Sequence, residues 1–138
     1  MSFSNEIKNE LLRLEYNDDS ERVALLAGLV RMDGTILIAA RQQISLQLVS
    51  ENAAVARLAF SWLKELFHVE ATVTIQRRTR LKKNVLYVVN VPSQTRMQAL
   101  LNSLGMVDQD GLPFRPEIAA ELTSSDSLRR AYLRGVFL

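Results

Sequence analysis

An apolar stretch without a polar interruption, residues 23–30, is the feature of the sequence that most limits its possible folds. Its flanks predict a helix over about 20–32, and a helix that is apolar all round is buried on more than one side. Gly28 lies inside this helix, where glycine costs about 1 kcal/mol relative to alanine. We therefore expect another segment to approach the backbone closely at Gly28.

With this helix, periodicity along the chain predicts the order α-α-ββ-α-ββ-α followed by one or two more helices, which is α-α-ββ-α-ββ-α-α in its shorter form. The predicted helices are 4–15, 20–32, 51–67, 96–104, 116–122 and 126–138, and the predicted strands are 35–40, 44–49, 69–78 and 85–91. The expected N-caps are Ser4, Ser50 and either Ser125 or Asp126. Strand pairs with hairpin-length connections indicate an α+β fold, in which helices pack on one face of an antiparallel sheet of two β-hairpins.

The second predicted strand alternates apolar and polar residues, and its apolar positions are expected to face the core. Ser45 and Gln47 then lie on the other side, where Thr72, Thr74 and Gln76 of the third strand are candidates to join them. Hardly any polar side chain comes from the first predicted strand.

The sequence contains no cysteine and one histidine, His68. A disulfide, a thiolate nucleophile, a cysteine-based metal site and a site of several imidazoles are therefore excluded. His68 follows a predicted helix, where we interpret it as a capping or solvated residue rather than a catalytic one. We expect no metal and no cofactor.

The first residues lack the charged-then-apolar order of a signal peptide. No apolar run approaches the roughly 18 residues that a membrane span requires. We therefore expect a cytoplasmic protein with no membrane partner.

The net charge is +2, but cations are concentrated in the second half, where residues 71–138 carry 10 Lys/Arg against 5 Asp/Glu. Much of the excess comes from one run in the predicted connection between the last two strands, which contains Arg77, Arg78, Arg80, Lys82 and Lys83. Clustered cations gain free energy by displacing counterions from phosphates. We predict DNA contacts by this run, with Ser45 and Gln47 as further candidates.

Residues 26–34 resemble the LAGLIDADG motif of homing endonucleases, with Arg31 and Met32 as departures. The motif ends a buried helix and leads directly into a β-hairpin, as the resemblance requires. The resemblance implies a LAGLIDADG homing-endonuclease-like fold.

The small residues of the motif, Ala27 and Gly28, allow a partner helix to pack closely. The segment 130–138 places Gly135 where Gly28 stands in the first copy. We therefore predict a helix–helix interface of Ala27, Gly28 and Gly135.

Segments along the whole chain are similar to the WhiA sporulation and cell-division regulators of Gram-positive and related bacteria: residues 2–4, 8–11, 51–57 and 131–138. The resemblance implies that 1–138 is a single LAGLIDADG-like domain fragment. The apolar end of the sequence agrees with this. A second LAGLIDADG half and a C-terminal helix-turn-helix domain, which would bind DNA more strongly, are then expected in the parent protein.

The resemblance also bears on catalysis, because LAGLIDADG nucleases hold metal ions between one acid from each motif helix. Asp33 matches the first acid position, and the second would follow Leu138. The positive charge of Arg31 opposes a metal there. Since the WhiA family is regarded as having lost the paired acids, we expect no catalytic residue and interpret Asp33 as a relic.

These observations favour a non-catalytic, nucleoid-associated DNA-binding module of a transcriptional regulator. An active LAGLIDADG homing endonuclease fragment is one alternative. A protein-interaction or self-association module that uses the motif helices is the other.

Overall fold

The computed structural model describes residues 3–13, 18–77, 85–106 and 120–138. The helices are Phe3–Arg13 (α1), Asp19–Asp33 (α2), Ala53–Phe67 (α3), Met97–Ser103 (α4) and Asp126–Phe137 (α5). The strands are Gly34–Ile38 (β1), Ile44–Ser50 (β2), Thr72–Arg77 (β3) and Val85–Val91 (β4). Short 3-10 turns lie at Ala40–Gln42 and Ala120–Thr123. The predicted α+β fold class is confirmed.

Helix α2 is buried along its whole middle, at residues 24–30. At its N-terminus, the Asp18 carboxylate accepts a hydrogen bond from the backbone N–H of Glu21 at 2.8 Å. At its C-terminus, the N–H of Gly34 donates to the carbonyl of Val30, and the chain enters β1 directly. The burial expected from the uninterrupted apolar stretch is therefore confirmed.

Helices α2 and α5 cross with their backbones in contact. A Cβ atom added at Gly28 would overlap the carbonyl oxygen of Tyr132 and lie 2.9 Å from the backbone nitrogen of Val136. A Cβ atom added at Gly135 would overlap the carbonyl oxygen of Leu25. Each glycine thus leaves the space that the other helix's main chain occupies, and any larger side chain would separate the two helices.

The sheet is antiparallel throughout and has the strand order β1-β2-β4-β3. Leu46 and Leu48 of β2 lie opposite Val91 and Val89 of β4, and all four side chains are buried. Side chains opposite one another share a face, so these define the helix-bearing face. We call the other side the open face; its residues are Thr35, Leu37, Ser45, Gln47, Val49, Thr72, Thr74, Gln76, Leu86, Val88 and Asn90.

The hydrophobic core fills the space between the helix-bearing face and the helices. Its members come from α2, α3, α4, α5 and strands β1, β2 and β4. Edge strand β3 contributes little, because Val73 and Ile75 are 38% and 62% exposed although they point toward the helices. The predicted packing of helices on one face is confirmed.

The N-cap of α3 is Asn52, so the prediction of Ser50 was wrong. The Asn52 side chain accepts hydrogen bonds from the backbone N–H groups of Ala54 and Val55, at 2.9 and 3.2 Å. Ser50 is still paired with Tyr87 in the sheet, and its hydroxyl accepts from the N–H of Asn52 at 3.1 Å. Strand β2 therefore ends at Ser50 rather than at residue 49, and α3 begins at Ala53 rather than at residue 51.

Strands β1 and β3 are shorter than predicted. A turn closes β1, where the N–H of Ala39 donates to the carbonyl of Gln43 and Arg41 adopts a left-handed conformation with φ 64°. Before β3, the Gln94 side-chain amide pairs with both backbone groups of Glu70, at 2.8 and 3.0 Å. A side chain thus replaces a strand partner there.

The helix boundaries near the C-terminus agree only in part with those predicted from the sequence. Helix α5 begins after Ser125, whose hydroxyl accepts from the N–H of Leu128 at 3.2 Å, so Ser125 rather than Asp126 is the N-cap. The predicted helix 116–122 lies largely outside the described residues.

The helix crossing predicts an unusual response to alanine. Alanine normally stabilises a helix interior by about 1 kcal/mol relative to glycine. Gly28→Ala and Gly135→Ala should instead each lower the free energy of unfolding by about 3 kcal/mol, because the added methyl group meets main-chain atoms that cannot rotate away. Urea unfolding followed by circular dichroism measures the change, and a stabilised Gly28→Ala protein would contradict the crossing.

Candidate nucleic-acid interface

A row of four polar side chains crosses the open face from edge to edge. The register places Thr35 opposite Gln47, Gln47 opposite Asn90, and Asn90 opposite Thr72. In the centre, Gln47 Nε2 donates a hydrogen bond to Asn90 Oδ1 at 3.2 Å. Three strand spacings of about 4.8 Å give the row a width of about 14 Å, close to the roughly 12 Å of a DNA major groove.

The rest of the open face mixes polar and apolar side chains. Ser45 lies on it, half-buried, and borders a cavity of about 320 Å³ whose lining also includes Gln43, Asn90 and Pro92. Leu37, opposite Ser45, is 45% exposed. The face can therefore offer both hydrogen bonds and apolar contacts to bases, but it carries no charge of its own.

Exposed cations lie beyond both ends of the sheet. Arg41 is in the connection between β1 and β2, next to the end of β4, because Leu46 pairs with Val91. Arg77 ends β3 at the opposite end of the sheet, opposite Val85. Within the described residues, the open face thus has an exposed arginine near each end of the sheet.

Arg77 lies on the helix-bearing face, on the opposite side from Ser45 and Gln47. Alternation along β3 places it with Val73 and Ile75, although its position at the exposed end leaves it accessible to solvent. The other cations of the predicted DNA-contacting run, Arg78, Arg80, Lys82 and Lys83, lie outside the described residues. Of this run, the structure therefore assigns a face to Arg77 alone, and that face is the helix-bearing one.

A second feature surrounds the end of α2, where Asp33 borders a cavity of about 280 Å³. The lining includes Lys8 of α1 and Ser50 and Glu51 at the end of β2. Burial raises the pKa of the Asp33 carboxyl, and the positive charge of Lys8 partly offsets this rise.

Lys8 is a cation whose charge lowers the pKa of the Asp33 carboxyl. Arg31 acts on Tyr132 of α5, where its charge opposes the rise in pKa that burial causes. The expectation that Arg31 opposes a metal at Asp33 stays a prediction.

Helix α1 brings Lys8 to this place through its packing against α3. Asn52 Nδ2 donates a hydrogen bond to Asn9 Oδ1 at 3.3 Å, directly beside Lys8 in sequence. Lys8, Glu51 and Asn90 were not among the predicted site residues. Asn90 could have been found, since it is a polar residue inside an otherwise apolar strand, whereas the approach of α1 leaves no local signal.

The described ranges contain no group of three or more His, Cys, Asp or Glu residues that could hold a metal ion. His68 is the left-handed C-cap of α3, with φ 53°, and its N–H donates to the carbonyl of Lys64. The predicted capping role of His68 is thus confirmed. Trp62 of α3 is half-buried against the core, and the Arg22 guanidinium lies 5.6 Å from its ring centroid.

A family model, the WhiA N-terminal LAGLIDADG-like domain, matches residues 19–107. This match covers α2, α3, α4 and all four strands, and so every residue of the open face. Lys8 and the α5 residues that line the Asp33 cavity lie outside it. The chain belongs to this family.

Two WhiA relatives match along the whole chain. The probable cell division protein WhiA of Desulforamulus reducens is 41% identical over 139 residues, and that of Heliobacterium modesticaldum is 40% identical over 139 residues. The match covers 100% of this chain and 43% of each relative. The chain therefore spans less than half the length of these relatives.

Solved WhiA structures share the fold. Full-length DUF199/WhiA from Thermatoga maritima superposes with a TM-score of 0.64 at 17% identity, covering 100% of this chain and 39% of that one. The N-terminal LAGLIDADG domain of DUF199/WhiA gives 0.62 at 18% identity, with 99% and 57% covered. The predicted LAGLIDADG-like fold and the resemblance to WhiA are confirmed. No helix in the described part of the chain is long and apolar enough to cross a membrane.

The double role of Asn52 predicts separable losses of stability. Asn52→Ala removes the cap of α3 and the link to α1, and should lower the free energy of unfolding by about 2 kcal/mol. Asn52→Asp keeps the oxygen that accepts from Ala54 and Val55 and loses only the donor to Asn9, so it should cost less. Urea midpoints measure both variants, and equal losses would contradict two separate roles.

The environment of Asp33 predicts a pH-dependent stability. A carboxyl group whose pKa is higher in the folded than in the unfolded protein stabilises the folded state fully at pH values below its unfolded-state pKa. This stabilisation is lost as the pH rises through the folded-state pKa. Asp33→Asn should therefore stabilise the protein at pH 7, and the gain should disappear at about pH 3, where both states are protonated. Asp19→Asn is the control, because Asp19 is exposed in the first turn of α2 and its charge favours the helix. A gain from both variants would contradict the assigned cause.

Proposed function

We propose that this chain is a non-catalytic DNA-binding module of a transcriptional regulator. The observation that carries the proposal is the row of polar side chains Thr35, Gln47, Asn90 and Thr72 on the open face. Its width matches a major groove, and cations extend from both ends of the same sheet. The names of the relatives link the parent protein to cell division.

Phosphates and bases would be contacted by different parts of the molecule. Phosphate contacts position a protein on DNA and give most of the affinity, whereas contacts with base edges give sequence preference. Arg41 at one hairpin and the run from Arg77 to Lys83 at the other are suited to phosphates. Ser45 and the polar row are suited to bases.

The surroundings of Asp33 support the absence of nuclease activity. A divalent cation requires ionised carboxylates that are free to bind it. Burial raises the pKa of Asp33, and the ammonium group of Lys8 acts on the same carboxyl. These residues do not fit a divalent ion, so Asp33 is proposed to be a relic of the nuclease motif.

The whole protein is proposed to act on transcription in sporulation and cell division, in association with the nucleoid. A second LAGLIDADG half and a helix-turn-helix domain would follow this segment in the parent. The helix-turn-helix domain would supply the stronger DNA binding, and this chain a weaker contribution.

Salt-dependent DNA binding tests the proposal. Fluorescence anisotropy with a labelled duplex of mixed sequence should show weak binding whose affinity falls steeply with salt. Replacing Arg77, Arg78, Arg80, Lys82 and Lys83 by glutamine should flatten the slope of log affinity against log salt by about 1 for each phosphate that is no longer neutralised.

Arg57→Gln is the matched control for these replacements, since Arg57 is an exposed cation on α3 and faces away from the open face. Binding that is unchanged by the five replacements would contradict the assigned surface. Conversion of supercoiled plasmid to nicked or linear DNA with Mg²⁺ would favour an active endonuclease instead.

Self-association is a second candidate function, favoured by exposed apolar residues on α2 and α5, the two helices that meet at Gly28 and Gly135. Leu133 and Phe137, one turn apart on α5, are 65% and 47% exposed, and Met32 at the end of α2 is 60% exposed. Such side chains are common in protein interfaces. Sedimentation velocity at several concentrations would show the association, and a strict monomer would argue against it.

A further inference from the structure

We propose that Gln47 reads an adenine base in the major groove and that Asn90 holds its side chain in the orientation for doing so. The inference rests on the proposed DNA-binding function and names the base that the open face prefers. It starts from the hydrogen bond between these two side chains at the centre of the polar row.

The hydrogen bond fixes one end of the Gln47 amide. Gln47 Nε2 donates to Asn90 Oδ1 at 3.2 Å, which uses one of the two amide protons. The second proton and Oε1 remain, and within the described part of the chain no other hydrogen bond of Gln47 occupies them. The side chain therefore presents one donor and one acceptor side by side.

This pair of groups complements adenine and no other base edge in the major groove. Adenine offers the N6 amino group as donor and N7 as acceptor, which an amide can bind at the same time. Guanine offers two acceptors at N7 and O6, which would leave Gln47 Oε1 facing another oxygen. Cytosine offers a donor alone, which would leave the second amide proton unpaired.

The position of Gln47 favours it for base reading over the other polar side chains of the open face, including Gln76, which is exposed on edge strand β3. Thr35 and Thr72, the outer members of the row, carry short hydroxyl side chains that accept or donate and so distinguish bases poorly. Gln47 and Asn90 lie on the two inner strands, β2 and β4, where neighbouring strands on both sides fix the backbone. A central, rigid amide pair is the part of the face best suited to base selection.

Selection from a pool of duplexes with a randomised core tests the inference. The wild-type chain should enrich adenine at one position, with a preference of roughly tenfold over other bases, which is the discrimination expected of a bidentate amide contact. Gln47→Leu should remove the preference at that position while salt-dependent binding to unselected duplex changes less than threefold.

Three further variants separate base reading by Gln47 from its support by Asn90. Gln47→Glu replaces the donor by a second acceptor and should shift the preference from adenine to cytosine, whose N4 group donates. Asn90→Leu removes the acceptor for Gln47 and should weaken the adenine preference. Asn90→Asp keeps that acceptor and should retain the preference at a lower overall affinity, because the added charge repels phosphate.

The outcomes distinguish this inference from the proposed function. If the wild-type chain binds duplexes and enriches the same base after Gln47→Leu and Gln47→Glu, base reading by Gln47 is overturned while DNA binding stands. Enrichment of guanine by the wild-type chain overturns it as well. If the chain binds no duplex even at low salt, the proposed function fails and base reading fails with it. A new preference for cytosine cannot arise from misfolding, so that result supports the inference directly.

Discussion

The contact between the backbones of α2 and α5 at Gly28 and Gly135 fixes the rest of the structure. Close approach of two helices places their axes within a narrow range of distances and leaves few ways to cross. Because α2 continues into β1 without a loop, the direction of α2 also sets where the first hairpin begins. The sheet therefore takes its position from the crossing, and the crossing depends on two residues that have no side chain.

The two faces of the sheet have different roles. On the helix-bearing face, Leu46, Leu48, Val89 and Val91 are buried, and burial of such side chains contributes about 2 kcal/mol each. The open face contributes little to the core, because Val88 is its only buried member and its other residues are half-buried or exposed. It can carry Gln47 and Asn90, whose amides would be costly inside the core without full hydrogen bonding.

Local patterns in the sequence predicted most of the fold. The uninterrupted apolar helix predicted burial on several sides, Gly28 predicted a close neighbour, and alternation placed Leu46 and Gln47 on opposite faces. These features depend on short-range periodicity, which the sequence carries directly. The N-cap of α3 was missed because Ser50 and Asn52 are both good caps, and only the length of β2 decides between them. The candidate site was less predictable, because Gln47 can pair with Asn90 only if β2 lies beside β4. The residue pattern of a single strand does not determine which strands are its neighbours in the sheet.

The position of Lys8 links the Asp33 cavity to the open face. Asp33 immediately precedes β1, so its charge lies only two residues from Thr35, the first member of the polar row. An ionised carboxylate at that place would repel the phosphates of an approaching duplex. The neighbouring ammonium group of Lys8 reduces that repulsion. In a nuclease, metal ions would offset the charge of the acid. In this chain the lysine from α1 offsets it without a metal, so the proposed DNA binding without cleavage is compatible with this scaffold.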